Sequence, residues 1–242
     1  MFTKSRATLL GLLVSGMFLA QSAAAVPFTV TAWAPAGGDR VNINKTDAAS
    51  RTYNGYGGGF VMTNTTPGSV ESFISWCVDI FEYIPGNTAR DYSVNLGGSN
   101  LPPPNVANDL GRLATMFLGL ATAPGANTNS AAFQLAVWEI FYEHGSGPYS
   151  LATGTFLAYG NSGDGTLNAY NQAQSWLGQL NNNPNSANNY ANKINVYTSV
   201  GTPGYQDQIT FVPEPATLTL LGIGLVGLGF ARRKPAQLGS AS

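Results

Sequence analysis

Apolar and polar positions alternate from Phe28 through Thr29, Val30 and Thr31 to Ala32 and Trp33, the period of a half-buried strand. A second alternation over residues 70–81 sets Ile74, Trp76, Val78 and Ile80 on one strand face. Phe73, Ser75, Cys77 and Asp79 fall on the other. Gly37-Gly38 and the glycines from 55 to 59 lie between the two and read as loop, turn or edge-strand residues. Beyond the stiff connector Leu101-Pro102-Pro103-Pro104, Val106, Leu110, Leu113 and Phe117 recur at helical spacing. A second helix is expected after the capping cluster Asn127-Thr128-Asn129-Ser130, running to a stop near His144-Gly145. A third, over about 166–180, would bury Tyr170, Ala173, Leu177 and Leu180. The Asn-rich stretch 181–189 reads as a loop, and 190–200 and 205–212 as closing strands. Strands at both ends with helices between them predict an α+β domain, antiparallel strands with a helical insertion. A mostly β sandwich with helical insertions is the alternative architecture.

Both ends of the chain depart from this pattern. Residues 1–25 carry Lys4 and Arg6, then a short apolar stretch, then Ala23-Ala24-Ala25, the layout of a cleaved secretory signal peptide. Near the other end an apolar run over 216–231 is interrupted only by Thr217, Thr219 and four glycines, and is followed by Arg232-Arg233-Lys234. As a helix it measures about 24 Å, just enough to span a bilayer as a single transmembrane helix. The basic cluster behind it would stay cytoplasmic, leaving the bulk of the chain outside. This predicts three parts: signal peptide 1–25, extracytoplasmic core 26–212 and C-terminal segment 213–242.

Composition narrows the function classes. Charged residues are 10% of the 242, against about 25% in ordinary soluble domains, while 44% hydrophobic and 11% aromatic residues supply a core. The core carries 6 basic and 11 acidic residues, a net charge of −5. Without a basic patch it has no basis for gripping phosphates, so no nucleic-acid partner is expected. One cysteine and one histidine exclude an internal disulfide and the usual zinc sites. Gly57-Gly58-Gly59-Phe60 lacks the spacing and lysine of a phosphate loop, and Asn161 to Gly165 lacks the ligand series of a calcium loop. No metal and no cofactor is expected.

Pro213-Glu214-Pro215, the short apolar run and the cluster Arg232-Arg233-Lys234 resemble the PEP-CTERM sorting signal of Gram-negative bacteria that make exopolysaccharide. The resemblance implies export past signal peptidase, transient residence in the inner membrane through the C-terminal helix, and processing by an exosortase. The destination it implies is the cell envelope or an extracellular matrix.

Within the core, Gln134 shares a helix face with Val137, Trp138 and Phe141, which points its amide inward. Glu139 and Glu143 would occupy the solvent side. A buried primary amide costs about 1–3 kcal/mol unless its hydrogen bonds are satisfied. Cys77, a lone thiol in an exported chain, is the proposed counterpart. Attack of its sulfur on the Gln134 side-chain carbonyl, with loss of ammonia, would leave an internal thioester. The bland alternative is a small buried cysteine and a glutamine hydrogen-bonded to backbone. Trp76-Cys77-Val78 and Phe133-Gln134-Leu135-Ala136-Val137-Trp138 are similar to the cysteine and glutamine motifs of bacterial thioester domains. That resemblance implies acylation of a surface amine or hydroxyl, with Cys77 as thiolate donor and leaving group, Gln134 as acyl carrier, and Trp76, Val78 and Trp138 as surroundings.

These readings describe an exported surface protein rather than an enzyme, adhesive if the thioester forms. The alternative is a noncovalent structural or exopolysaccharide-associated protein. Cys77, His144 and an asparagine also permit the order of a papain-like hydrolase, but the residues usual around such a nucleophile are missing.

Overall fold

In the computed structural model the described residues run from 25 to 212, except 46–50, 70, 81, 85, 99, 103, 145–146, 184–189 and 202–203. Residues 1–24 of the expected signal peptide and the whole expected C-terminal segment, including Pro213, Glu214, Pro215, Arg232, Arg233 and Lys234, lie outside them. Among the described residues no helix is long and apolar enough to cross a membrane.

The chain folds as β1 (Val26–Lys45), β2 (Arg51–Asn64), β3 (Ser72–Cys77), β4 (Arg90–Leu96), α1 (Pro104–Ala121), α2 (Asn127–Tyr142), β5 (Phe156–Tyr159), α3 (Leu167–Asn182), β6 (Ile194–Ser199) and β7 (Gln208–Phe211). A short 3-10 turn, Ala191–Lys193, leads into β6. All strand pairings are antiparallel, in the order β2-β3-β7-β6-β4-β1, and β1 pairs again with β2. Six strands therefore close on themselves. The expected antiparallel strands with inserted helices are present, closed into a barrel rather than stacked as a sandwich.

β1 makes this possible because it bends. Register shifts between Val30 and Ala32 and between Trp33 and Gly38 mark bulges, which turn a strand sharply and raise its twist. Its first residues pair with β4 inside the barrel, while Asn42 to Lys45 pair with β5 outside it. The glycine-rich stretch expected as loop, turn or edge strand lies in the interior of β2, a strand paired with both β1 and β3, with Gly55, Gly57 and Gly58 facing Val41, Asp39 and Gly38. Close approach explains the composition. Gly58 has φ +153°, and a Cβ there would lie 2.7 Å from the Gly37 carbonyl oxygen.

Two cores result. Phe28, Val30, Met62, Tyr92 and Tyr197 form one apolar cluster with Phe73 packed against it, and Phe28 contacts Phe73, Tyr92 and Tyr197 edge-on. The larger core lies between the sheet and the helices, with Trp76, Phe133, Trp176 and Phe211 among its rings. Helix α2 runs through its middle, and every residue from Ser130 to Ile140 is buried. A helix buried all round has no polar face. Glu139 therefore does not meet water as expected; it is 1% exposed, and Glu143 is half-buried. α1, by contrast, buries Val106, Leu110, Leu113 and Phe117 as its spacing predicts, and α3 buries Ala173, Leu177 and Leu180 but leaves Tyr170 half-buried.

Candidate functional site

Cys77 is the last residue of β3, and the neighbouring strand and helix converge on it. Across the ladder it faces Gln208 of β7, while α2 brings Gln134 against it from the other side. The Cys77 backbone N–H donates to Gln134 Oε1 at 3.1 Å, and Gln134 Nε2 donates to the Cys77 carbonyl at 2.8 Å. The side-chain amide thus pairs with one residue's backbone as a neighbouring strand would. All three side chains are buried, Cys77 at 4% exposure, Gln134 at 1% and Gln208 at 0%.

Adjacent contacts hold this arrangement in place. Trp76 packs against Phe133 and Phe211, fixing the end of β3 between α2 and β7. Val78 N–H donates to the Asp207 carbonyl, and Ile80 N–H donates to Tyr142 Oη from the end of α2. Gln206 Nε2 donates to the Asp79 carbonyl. The side of α2 nearest β2 is tied by Ser130, whose Oγ accepts from Gly59 N–H at 3.0 Å. Thr128 Oγ1 donates to Asp39 Oδ2. The supposed capping cluster is thus already helix, and two of its side chains dock the hairpin instead of capping the backbone.

Cys77, Gln134 and Trp138 line one cavity of about 460 Å³, with Trp33, Tyr56 and Tyr83 also in its wall. These last three are exposed at 41%, 55% and 72%, so the buried pair meets solvent through an aromatic mouth. The indole N–H of Trp138, itself buried, has no hydrogen-bond partner among the described residues. Trp138 is more than apolar wall, because a buried donor is left without an acceptor there.

Burial pushes the Cys77 thiol up to about 12, and the charge of Asp79 adds to the rise; the hydrogen bond from Gln208 opposes both. The sulfur is therefore a protonated thiol at neutral pH, unlike the low-pKa thiolates of cysteine hydrolases. Asp79 is itself raised, first by burial and then by Glu82, and burial carries Asp207 to about 6. His144 stands apart. It is exposed beyond the end of α2 with φ +55°, and it does not line the Cys77 cavity. Asp164 is a turn residue, accepting from Thr166 and Asn42, and hydrogen bonds from those two groups lower its pKa.

Sequence reasoning located Cys77, Gln134, Trp76, Val78 and Trp138, and all five meet around the end of β3. It missed Gln208 and the aromatic mouth. The polar residues Gln208 and Thr210, alternating with Ile209 and Phe211 in the short strand β7, held a signal for the first, since both are buried.

A family model described as the PEP-CTERM protein-sorting motif matches residues 211–234. Nothing among the curated proteins or the solved structures matches the chain. The matched motif covers the Pro-Glu-Pro, the apolar run and the basic cluster. It gives the chain the address of an export substrate bound for the envelope or the extracellular space. The chain thus carries a PEP-CTERM sorting signal, the mark of an exported polypeptide sorted by an exosortase.

Proposed function

We propose that the exported core attaches covalently to a target surface through an internal thioester between Cys77 and Gln134. The observation that carries this reading is the two-point pairing of the Gln134 amide with the Cys77 backbone in the wall of an open cavity. In the forming step the Cys77 sulfur bonds to Gln134 Cδ and the Cδ–Nε2 bond breaks. The thiol proton leaves with the nitrogen as part of ammonia. The Cys77 N–H already points at Gln134 Oε1, where negative charge develops during attack, and acts as an oxyanion donor. Burial of the pair limits the water that would hydrolyse the product, and the cavity leaves the acceptor a way in.

In the transfer step a surface amine or hydroxyl enters through the aromatic mouth and takes the acyl group, releasing the thiol. The address and the chemistry fit together: a protein carried out through signal peptide and sorting helix, then freed by the exosortase, meets its targets only outside. The link would also join positions 57 apart in sequence and restrict the unfolded chain. By analogy with a disulfide this contributes about 4 kcal/mol.

A noncovalent surface protein, structural or associated with exopolysaccharide, is the second reading. The same two hydrogen bonds favour it, because they satisfy the buried amide without any reaction. Intact mass under denaturing conditions separates the two. The exported protein is expected to be lighter than its processed sequence by one ammonia, with Cys77→Ala and Gln134→Ala at full mass. Methylamine should then add its own mass and expose one alkylatable thiol. Full mass in the wild type, with no response to methylamine, sinks the covalent reading and leaves the noncovalent one.

A further inference from the structure

The sulfur of Cys77 has a neighbour that the two sequence motifs leave out. Gln208 Nε2 lies 3.4 Å from Cys77 Sγ, in a residue that is fully buried and directly opposite Cys77 in the β3–β7 ladder. The amide's orientation is set by its other contacts. Nε2 also approaches the Gln206 carbonyl at 3.5 Å, and a carbonyl can only accept. Oε1 accepts from Ser75 Oγ at 3.0 Å, and Ser75 is buried one pleat away on the same face of β3. The Gln206 carbonyl thus turns the nitrogen toward the sulfur, the Ser75 hydroxyl complements that orientation by donating to Oε1, and Oε1 stands farther from Sγ at 3.9 Å.

From this geometry we infer that Gln208 is a further catalytic residue of the site, holding the Cys77 sulfur and donating a hydrogen bond to it as it is expelled during acyl transfer. The inference rests on the thioester reading above. The transfer step defines the need. With a primary amine as acceptor, nitrogen bonds to Gln134 Cδ, the Cδ–Sγ bond breaks with its electron pair on sulfur, and a proton from the amine ends on the sulfur. Products are an amide and a thiol, and neither oxidant nor reductant is required. Negative charge develops on a sulfur buried close to Asp79, where it is poorly stabilised. A fixed donor costs no reorganisation at that moment. Cys77 N–H and Gln208 Nε2 then divide the work, one serving the acyl oxygen and the other the leaving sulfur.

Ser75 acts on the sulfur only through Gln208, and is a positioning residue. Freeing Gln208 Oε1 would let the amide turn its oxygen toward sulfur, where lone pairs repel developing charge. The expected order of transfer rates is therefore wild type, then Ser75→Ala, then Gln208→Met.

The test uses the exported full-length protein, with methylamine as probe and mass as readout. Gln208→Met preserves volume, and the double variant Ser75→Ala/Gln208→Met avoids stranding the serine hydroxyl. Both are expected to open with methylamine about 10–100-fold more slowly than wild type. Across a series of primary amines, their rates should depend more steeply on amine basicity, because expulsion of sulfur becomes limiting. A purely structural role would lower Tm without changing that slope. A folded variant that no longer loses ammonia, beside a wild type that does, also supports a role at sulfur. Wild-type rate and slope in both variants, or faster opening, overturn the inference while leaving the thioester intact. A wild type without ammonia loss overturns the thioester reading itself, and this inference with it.

Discussion

The barrel cluster around Phe28 and the seam between β3, β7 and α2 are both built of buried side chains, but they are filled in opposite ways. Phe28, Met62, Tyr92 and Tyr197 meet mainly through carbon and ring edges. Ser75, Cys77, Gln134 and Gln208 meet through hydrogen bonds, each polar group answered by another of the set or by backbone. In the first region volume decides what is tolerated; in the second, pairing does. A buried polar set of this kind is no better for stability than a packed apolar one. Its presence beside an open cavity is therefore better explained by what the groups can do.

Phe28→Ala should give the largest effect that separates the regions. Truncating a buried phenylalanine costs about 3–5 kcal/mol, read as a lower urea midpoint at unchanged m. The fraction that remains folded should still lose ammonia, because the seam is untouched. Loss of that mass deficit in a folded Phe28→Ala protein would mean that the two regions are not independent. Gly58→Ala comes next, at about 1–3 kcal/mol, because its Cβ would meet the Gly37 carbonyl at 2.7 Å and Ser130 Oγ at 3.0 Å. Here coupling is expected: Gly57 beside it lies 3.5 Å from the Gln134 side chain when given a Cβ, so a displaced hairpin should slow thioester formation as well.

Ser130→Ala sharpens the contrast at smaller cost. It strands the buried Gly59 N–H, worth about 1–2 kcal/mol, without changing volume much. Thermal unfolding should show a loss, and a Ser130→Thr protein, which keeps the hydroxyl, should recover part of it. Equal Tm in all three would indicate that the hairpin is held on α2 by packing alone.

How far these regions could be read from sequence follows from the same contrast. Periodicity found α1 and α3 because each has one wet and one dry face. It placed Glu139 in solvent because α2 was assumed to have such a face as well; enclosure on all sides leaves no periodic trace. Barrel closure was invisible for a related reason. It depends on β1 bending at two bulges and pairing with three strands, and glycines that permit close backbone approach look locally like turn residues. The contact between Cys77 and Gln134 was more legible than the fold. A lone cysteine and an inward glutamine are each anomalous in an interior, and two anomalies that explain each other identify a contact 57 residues long. Gln208 escaped notice because one more buried amide on a strand is not anomalous until the sulfur beside it is seen.

Glu139 provides an effect that depends on pH and a third kind of buried polar group, a carboxyl with one oxygen satisfied. Its Oε1 accepts from Ser150 N–H at 2.6 Å, while Oε2 has no partner among the described residues. Burial, with Glu143 nearby, carries its pKa to about 7 against the ordinary glutamate range. The folded protein therefore binds this proton more tightly than the unfolded chain. Stability from this group is fully present below the unfolded pKa and is lost as pH rises toward about 7, after which it is level. Glu139→Gln keeps an acceptor for Ser150 and cannot titrate. Asp207 and Asp79 are also raised, so the informative quantity is the Tm difference between variant and wild type at each pH. That difference should be near zero at about pH 4, grow between about pH 5 and 7, and reach a few degrees in favour of the variant at about pH 8. A difference that does not vary with pH would place the Glu139 charge in contact with water, and would return α2 to the amphipathic helix its sequence suggested.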